Sequence, residues 1–269
     1  MENNKTVLEF YESYNEDERI IRQPLEFIRT KDIISRNLPK TSIRIGDLCG
    51  ASGHYSYWLA EMGHEVHLMD LSPKHINEAK NNQGKYRAKL ASMTCGDARS
   101  LPYEDETFDM VLLMGALYHL QEKEDRLICL KEAHRILKDN GTAVFSYISR
   151  HSAMLDGFVT GYIDKLDNNI TDMKILTGRH ENPENQKGNF TTAYLHTTKD
   201  IYEELIYTKS SNIVLYAVEG FGSMIKKEEY INDNVKMEKL LYYLRQTEQN
   251  MEMIGISFHQ LVICKKCKS

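Results

Sequence analysis

A run of small residues at positions 47–53 is the first segment of this sequence that could bind a ligand. It reads Asp-Leu-Cys-Gly-Ala-Ser-Gly and lies between a predicted strand and a predicted helix. Small side chains let a ligand approach the backbone, and N–H groups at a helix start can hold a negatively charged group. The run is not a complete dinucleotide-binding motif, because Leu48 replaces the first glycine of that motif. Alone, it is equally compatible with an ordinary strand-to-helix turn.

Two acidic residues after later strands favour a ligand that contains a nucleoside. Asp70 ends the second predicted strand, where a carboxylate can accept hydrogen bonds from both ribose hydroxyls of an adenosine cofactor. The alternative role, capping the next helix, is already offered by Ser72. Asp97 follows the third predicted strand and could accept a hydrogen bond from an adenine amino group, while the small Ala98 leaves room for the ring.

Alternating strands and helices are predicted to bring these residues together. The segments typical of strands are residues 43–48, 66–69, 90–95, 108–114, 142–148, 213–218 and 256–264. Helical patterns separate the first five, which predicts an α/β fold with a doubly wound parallel sheet and helices on both faces. Such sheets bind ligands beyond the carboxyl ends of their strands, so the loops after the first five strands are the expected site.

The segments outside this alternation are expected to cover the site. Residues 1–40 are predicted to form amphipathic helices, and the polar, irregular residues 151–197 are typical of a lid. Residues 228–253 are predicted to form one long helix. The division that follows is a single domain over residues 1–269, with a helical cover at 1–40, a core at 41–150, a lid at 151–197 and the last strands at 198–269.

The composition excludes several classes of protein. With 34 Lys and Arg against 39 Asp and Glu, the chain carries a formal net charge of −5 and is a poor candidate for binding nucleic acid. No apolar run is long enough for a transmembrane helix, and the first residues have no apolar signal segment. The five scattered cysteines fit a reduced, cytoplasmic protein without a membrane or metal partner. The oligomeric state stays open.

The order and spacing of these segments resemble the class I S-adenosylmethionine-dependent methyltransferases that act on small molecules. The resemblance is carried by Asp47 with the loop to Gly53, Asp70, the Gly-Asp-Ala at 96–98, the strand at 108–114, the Tyr-His-Leu at 118–120 and the Leu-Lys-Asp-Asn-Gly at 137–141. The family places three alternating glycines after its first strand, where this chain has Cys49, Ala51 and Gly53.

This resemblance implies a Rossmann-like, mostly parallel sheet of seven strands with an antiparallel last strand. It also implies S-adenosylmethionine as cofactor and in-line methyl transfer to a small-molecule acceptor, without a metal. The loop from Asp47 would lie under the methionine part, Asp70 would hold the ribose, and Gly115 would present its carbonyl to the ammonium group. The implied cofactor contacts are Tyr14, Asp47, Cys49, Gly50, Ala51, Gly53, Asp70, Leu71, Asp97, Ala98 and Gly115.

The residues expected around the acceptor come from later loops and from the first helix. His119 is the first candidate for a general base, because the exit of the fourth strand lies beside the transferred methyl group; a structural histidine is the alternative. His196 is the second candidate. The implied substrate contacts are Tyr11, Tyr118, Tyr194 and Glu219. For Tyr11 and Tyr14 the alternative is helix packing, and for Tyr194 and Glu219 it is a solvated loop.

Two other functions compete with methyl transfer. The first is an NAD(P)-dependent oxidoreductase on a related sheet, against which both Leu48 and the Gly-Asp-Ala at 96–98 count. The second is a methyltransferase fold without catalysis that serves as a binding protein, which Cys49 and Ala51 favour. Methylation of a nucleic-acid base or a glutamine is disfavoured, because Gly115-Ala-Leu-Tyr118 replaces the Asn/Asp-Pro-Pro-Tyr/Phe segment.

Overall fold

The predicted alternation of strands and helices is present in the computed structural model, which describes residues 2–22, 24–161, 163–165, 168–182, 190–225 and 228–267. Three helices come first, and strands and helices then alternate. These elements are α1 (Glu2–Ser13), α2 (Glu16–Arg22), α3 (Pro24–Asn37), β1 (Arg44–Asp47), α4 (His54–Glu61), β2 (Glu65–Asp70), α5 (Pro73–Asn82), β3 (Ser92–Cys95), β4 (Phe108–Leu113), α6 (Ala116–His119), α7 (Lys123–Ile136) and β5 (Leu137–Ile148).

The elements after β5 complete the sheet and contribute helices at the carboxyl ends of its parallel strands. Its elements are α8 (Arg150–Val159), α9 (Asn168–Thr177), β6 (Arg179–His180), β7 (Ala193–Tyr194), α10 (Thr198–Tyr207), β8 (Ser210–Ala217), α11 (Glu228–Ile231), α12 (Asn234–Thr247), α13 (Met251–Ile256) and β9 (His259–Lys266). Among the helices in the described ranges, none combines the length and the apolar character needed to cross a membrane.

The main sheet has seven strands in the order β3-β2-β1-β4-β5-β9-β8. The strands β1 to β5 are parallel, whereas β9 is antiparallel to both of its neighbours, β5 and β8. This confirms the predicted Rossmann-like fold with an antiparallel last strand. Because β9 runs in the opposite direction, its first residues lie at the edge where the other six strands end.

The central strand β4 explains how the two faces of the sheet are buried. Successive side chains of a strand point to opposite faces. Val111 and Leu113 pack in the cluster that contains apolar residues of α7 and α10, whereas Met110 and Leu112 pack in the cluster that contains residues of α3 and α4. The continuous apolar run at 108–114 is therefore a strand that helices cover on both sides.

The prediction of an irregular segment at residues 151–197 is wrong in part. The segment contains α8, α9 and the antiparallel pair β6–β7. The start of α8 is capped by Ser149, whose hydroxyl accepts a hydrogen bond from the Ser152 backbone, and glycine at 157 is buried within the helix rather than marking a loop. Residues 162, 166, 167 and 183–189 of the predicted lid lie outside the described residues.

The prediction of one helix over residues 228–253 is also wrong, because α11, α12 and α13 divide this segment. Asp233 caps α12 by accepting hydrogen bonds from two backbone N–H groups. Beyond α12, the buried carboxylate of Glu248 binds Arg29 and Arg36 of α3, and its backbone carbonyl accepts a hydrogen bond from Ala217. These contacts bind the turn between α12 and α13 to α3 and to β8, where the chain leaves the direction of α12.

Candidate functional site

The carboxyl ends of the strands open into a cavity of about 670 Å³. Loops that follow β1, β2, β3 and β4 form one half of it, which we call the cofactor half: residues 49–51, 70–72, 96–98 and 114–116. The opposite half, the acceptor half, is lined from α2, α3, α6 and the start of β9. Helices α1, α8 and α9 contribute side chains that cover both.

The loop after β1 approaches the cavity through its backbone. A Cβ atom at Gly50 would overlap Leu68 and lie 2.5 Å from a carboxylate oxygen of Asp47, so the loop needs glycine there. Asp47 is fully buried beneath the loop, and its Oδ2 accepts a hydrogen bond of 2.6 Å from Ser56. Burial raises the pKa of Asp47 to about 7. Asp47 and Gly53 thus support the loop but do not line the cavity.

Cys49 and Ala51 stand at two positions where the family has glycine, and neighbouring residues allow each of them. A Cβ atom at Gly115 would lie 2.9 Å from the Cβ atom of Cys49, so glycine at 115 provides the space that cysteine at 49 fills. Ala51 has a φ of 47°, in the left-handed region that favours glycine. Its N–H donates a 2.9 Å hydrogen bond to Asp70 Oδ2, which stabilises this conformation. Both Cys49 and Ala51 line the cavity.

Asp70 lies at the centre of the cofactor half. Its carboxylate accepts hydrogen bonds from the N–H of Ala51 (2.9 Å), the N–H of Ser72 (2.8 Å) and Nδ1 of His75 (3.1 Å). A carboxylate has about four acceptor positions, so the protein leaves capacity for a ligand. Burial lowers the pKa of His75, but the hydrogen bond from His75 to Asp70 and the attraction between them outweigh burial and raise it.

The carboxylate of Asp97 is held by an ion pair with Arg99. Arg99 donates to Asp97 from Nε (3.1 Å) and Nη2 (2.7 Å) and binds Asp125 through Nη1 (2.9 Å). Asp97, Ala98 and Leu71 line the cavity, as does Gly115. The structure therefore brings these four predicted residues together on one wall, with the Asp97 carboxylate fixed by Arg99.

Aromatic residues in α1 and directly after it cover the cofactor half. Tyr11 and Tyr14 line the cavity, and Lys74 fixes the end of the helix by donating to the backbone carbonyls of both tyrosines (2.8 and 3.2 Å). The hydroxyl of Tyr11 lies 2.9 Å from Nε2 of His119. Burial lowers the pKa of His119 to about 4, so the imidazole is neutral at pH 7.

The acceptor half contains charged residues that the sequence analysis did not select. Arg19 binds Glu16 (2.6 Å) and Glu26 (3.2 Å), and the hydroxyl of Tyr55 donates to Glu26 (3.1 Å). Tyr118 lines the same region, and its pKa is raised by burial and then by the charge of Glu16. These charges were missed because three acidic residues at the start of α2 are typical of a solvated helix end.

His259 is the second group that the sequence analysis missed. It is the first residue of β9 and lines the cavity. The predicted substrate contact Glu219 lies behind it: its carboxylate is 3% exposed and accepts hydrogen bonds from Nδ1 (2.5 Å) and from the backbone N–H (2.9 Å) of His259. The prediction for Glu219 is corrected, because His259 stands between Glu219 and the cavity.

The predictions for His196 and Tyr194 are also corrected, because neither residue lines the cavity. The backbone N–H of His196 bonds to Ile148, which turns the imidazole into the core, where it is fully buried and its Nε2 lies 3.7 Å from Glu204. Tyr194 packs against Arg126, whose guanidinium carbon lies 3.8 Å from the ring centroid. Within the described ranges, no group of three or more His, Cys, Asp or Glu side chains could hold a metal ion.

Comparisons with known proteins agree with this geometry. Residues 47–145 match the family described as a methyltransferase domain. The chain is 36% identical over 110 residues to norajmaline N-methyltransferase of Rauvolfia serpentina, covering 39% of this chain and 36% of the relative. It is 30% identical over 117 residues to demethylmenaquinone methyltransferase of Alkalihalophilus pseudofirmus, covering 42% of this chain and 48% of the relative. The chain thus spans less than half the length of these curated relatives.

A solved structure shows the same fold over most of the chain. An S-adenosylmethionine-dependent methyltransferase of Methanosarcina mazei superposes with a TM-score of 0.60 at 19% identity, covering 88% of this chain and 98% of the other. At this identity the likeness shows the fold, while the match over residues 47–145 is to a methyltransferase domain. These matches agree with the predicted class and its cofactor, which we take up as a proposal below.

The residues of the cofactor half fit S-adenosylmethionine. The small residues Cys49, Gly50 and Ala51 line the cavity after β1, and glycine at 115 leaves the space that Cys49 fills. Asp70 retains acceptor capacity for ribose hydroxyls, and the rings of Tyr11 and Tyr14 supply an apolar, π-rich cover for a sulfonium cation.

Proposed function

We propose that this protein transfers the methyl group of S-adenosylmethionine to a small molecule bound in the acceptor half. The observation that carries the proposal is the single cavity of about 670 Å³ that joins both halves under the helices α1, α8 and α9. A covered cavity of this size suits a cofactor with a small acceptor better than a folded macromolecule. The names of the two relatives, for norajmaline and demethylmenaquinone, support this choice of acceptor class.

The protein's contribution to this reaction is alignment and exclusion of water. The bound cofactor supplies an activated methyl group. In this proposal Asp70 holds the ribose, Asp97 and Ala98 face the adenine, and the carbonyl of Gly115 accepts a hydrogen bond from the ammonium group. Residues 49–51 lie under the methionine part, with the buried Asp47 supporting them. In-line transfer requires both reactants to be held in near-contact, which can lower a barrier by several kcal/mol, about 7–11 at best.

We also propose that His119 holds the cover closed. Its Nε2 is already hydrogen-bonded to the Tyr11 hydroxyl, and its pKa of about 4 makes it a weak base at neutral pH. The hydrogen bond between Tyr11 and His119 joins α1 to α6 and thereby to the exit of β4. Of the two roles that the sequence left open for His119, a general base and a structural histidine, this is the structural one.

The experiment that tests the proposal is a turnover assay with a panel of small phenols, amines and hydroxy-quinones. S-adenosylhomocysteine and the methylated product are measured together by mass spectrometry. The wild-type protein should give equal amounts of both with at least one acceptor, and Asp70→Ala should abolish turnover. Asp105→Ala, in an exposed residue paired with Arg135, is the matched control and should retain it. S-adenosylhomocysteine binding without turnover of any acceptor would favour the non-catalytic binding protein.

A further inference from the structure

We propose that His259 accepts the proton of the methyl acceptor and that Glu219 is the positioning residue that orients its imidazole. This inference rests on the proposed function and adds to it the group that activates the acceptor. It also restricts the acceptor to molecules that lose a proton when they are methylated.

The topology of the sheet brings His259 to the site. Because β9 is antiparallel, its first residue lies at the carboxyl edge of the parallel strands, paired in register with Ile148 at the end of β5. His259 lines the cavity beside Ser146 and Phe258. A histidine at the same place in a parallel strand would lie at the opposite edge of the sheet, away from the ligand.

The hydrogen bonds of His259 determine which of its ring nitrogens carries the proton. Nδ1 lies 2.5 Å from Glu219 Oε1, and the ionised carboxylate can only accept, so Nδ1 carries the hydrogen. The hydroxyl of Ser257 lies between the other carboxylate oxygen of Glu219 (3.1 Å) and the backbone carbonyl of His259 (2.7 Å), and its one hydrogen can go to either acceptor. The lone pair is therefore on Nε2, for which the described part of the chain provides no hydrogen-bond partner. A carboxylate that orients an imidazole in this way is the arrangement of a general base.

The other histidines of the cavity are less suited to this role. Nε2 of His119 is taken by Tyr11, Nε2 of His54 lies 2.8 Å from Asp17, and Nε2 of His180 bonds to the carbonyl of Phe190. His75 uses Nδ1 to bind Asp70 in the cofactor half. His259 thus combines an oriented ring with an open nitrogen in the acceptor half.

The charges that face His259 favour a stronger base. Burial and Arg19 lower its pKa, whereas Glu219 and Glu26 raise it, and the net effect is a pKa above the ordinary value. Burial raises the pKa of Glu219, but the pairing with His259 lowers it by more, so the net pKa is below the ordinary value and this carboxylate stays ionised. A base with a pKa near the working pH is the most effective one.

A lone pair of the acceptor oxygen or nitrogen forms a bond to the methyl carbon, while the bond between that carbon and sulfur breaks and its electron pair returns to sulfur. The sulfonium becomes the neutral thioether of S-adenosylhomocysteine. The proton on the acceptor atom passes to Nε2 of His259, which becomes an imidazolium beside Glu219 and later releases the proton to solvent. Hydroxyl groups and neutral amines fit this step, whereas a thiolate has no proton to give.

The first test needs no acceptor. In proton–carbon NMR spectra, the His259 ring signal is assigned by its absence in His259→Asn and followed from about pH 5 to 9 with S-adenosylhomocysteine present. The expected midpoint lies above about 6.5, and Glu219→Gln should move it to lower pH. A midpoint well below that value, or no shift in Glu219→Gln, would overturn the proposal.

The second test uses an acceptor found in the turnover panel. General-base catalysis contributes about 100-fold or more, so His259→Asn should lower kcat by that factor and leave KM nearly unchanged. Glu219→Gln should move the acid limb of the kcat profile to lower pH. His151→Asn, in an exposed histidine of α8, is the matched control and should behave as wild type. Turnover by His259→Asn at the wild-type rate would overturn this inference but leave the proposed function standing.

Discussion

The two halves of the cavity are built in different ways. The cofactor half consists of backbone loops and short side chains that follow four successive strands within residues 49–116. The acceptor half consists of long ionisable side chains that come from α2, α3, α6 and β9. The cofactor half thus depends on local strand-to-helix turns, whereas the acceptor half depends on which distant elements the sheet order brings together.

This difference predicts that the halves respond separately to mutation. Changes in the loops should alter cofactor binding, and changes in the acceptor half should alter turnover while cofactor binding is retained. Three substitutions test the cofactor side of this separation.

The largest effect is expected for Gly50→Val. Its side chain would overlap Leu68 and Asp47, so the loop after β1 must move and S-adenosylhomocysteine affinity should fall by roughly 100-fold or more, with a lower Tm. Calorimetric titration and thermal unfolding measure both quantities. Gly84→Ala is the control, because no atom lies within 4 Å of a Cβ atom there. Unchanged binding by Gly50→Val would show that this loop does not form the cofactor half.

A smaller effect is expected for Tyr11→Phe. The change removes one hydrogen bond to His119 and keeps the ring, so cofactor affinity should fall by about 3–10-fold, in line with about 0.5–1.5 kcal/mol. Titration of the variant with S-adenosylhomocysteine measures this loss. Tyr242→Phe changes an exposed tyrosine and should have no effect. A loss as large as that of Gly50→Val would mean that α1 does more than cover the ligand.

The third effect is on folding stability rather than on binding, and it concerns the pH dependence that Asp47 causes. Its folded pKa of about 7 lies above the ordinary value, so the unfolded chain loses the proton first as the pH rises. The free energy of unfolding should therefore fall between about pH 4 and 7 because of this group. Denaturant titrations of wild type and Asp47→Asn should show a difference that changes over this range. A constant difference would contradict the pKa of Asp47 that its burial beneath the loop raises.

Much of the cofactor half could be predicted from the sequence because its signals are local. The small residues after β1 and the acidic residues after β2 and β3 stand at fixed places relative to strands, and a parallel sheet brings such loops to one edge. Asp70, Asp97 and Gly115 accordingly line one cavity. Their contacts with the cofactor remain predictions that the binding experiments test.

The acceptor half could not be predicted in the same way, because its signals are not local. His259 and Glu219 are 40 residues apart and meet only because β9 inserts between β5 and β8. His196 does not line the cavity for a similar reason: its backbone is bonded to the carbonyl of Ile148 at the end of β5, and its imidazole is fully buried. Because strand order decides which of these side chains meet, the residues next to each of them in the sequence carry no pattern that predicts the contact.

The most direct test of the separation between the two halves is one calorimetric series with S-adenosylhomocysteine and NADH. Wild type and His259→Asn should bind S-adenosylhomocysteine with the same affinity, Asp70→Ala should lose that binding, and none of the three should bind NADH. Failure of the wild-type protein to bind S-adenosylhomocysteine, or binding of NADH in its place, would contradict the assignment of the cofactor half and with it the proposed methyl transfer.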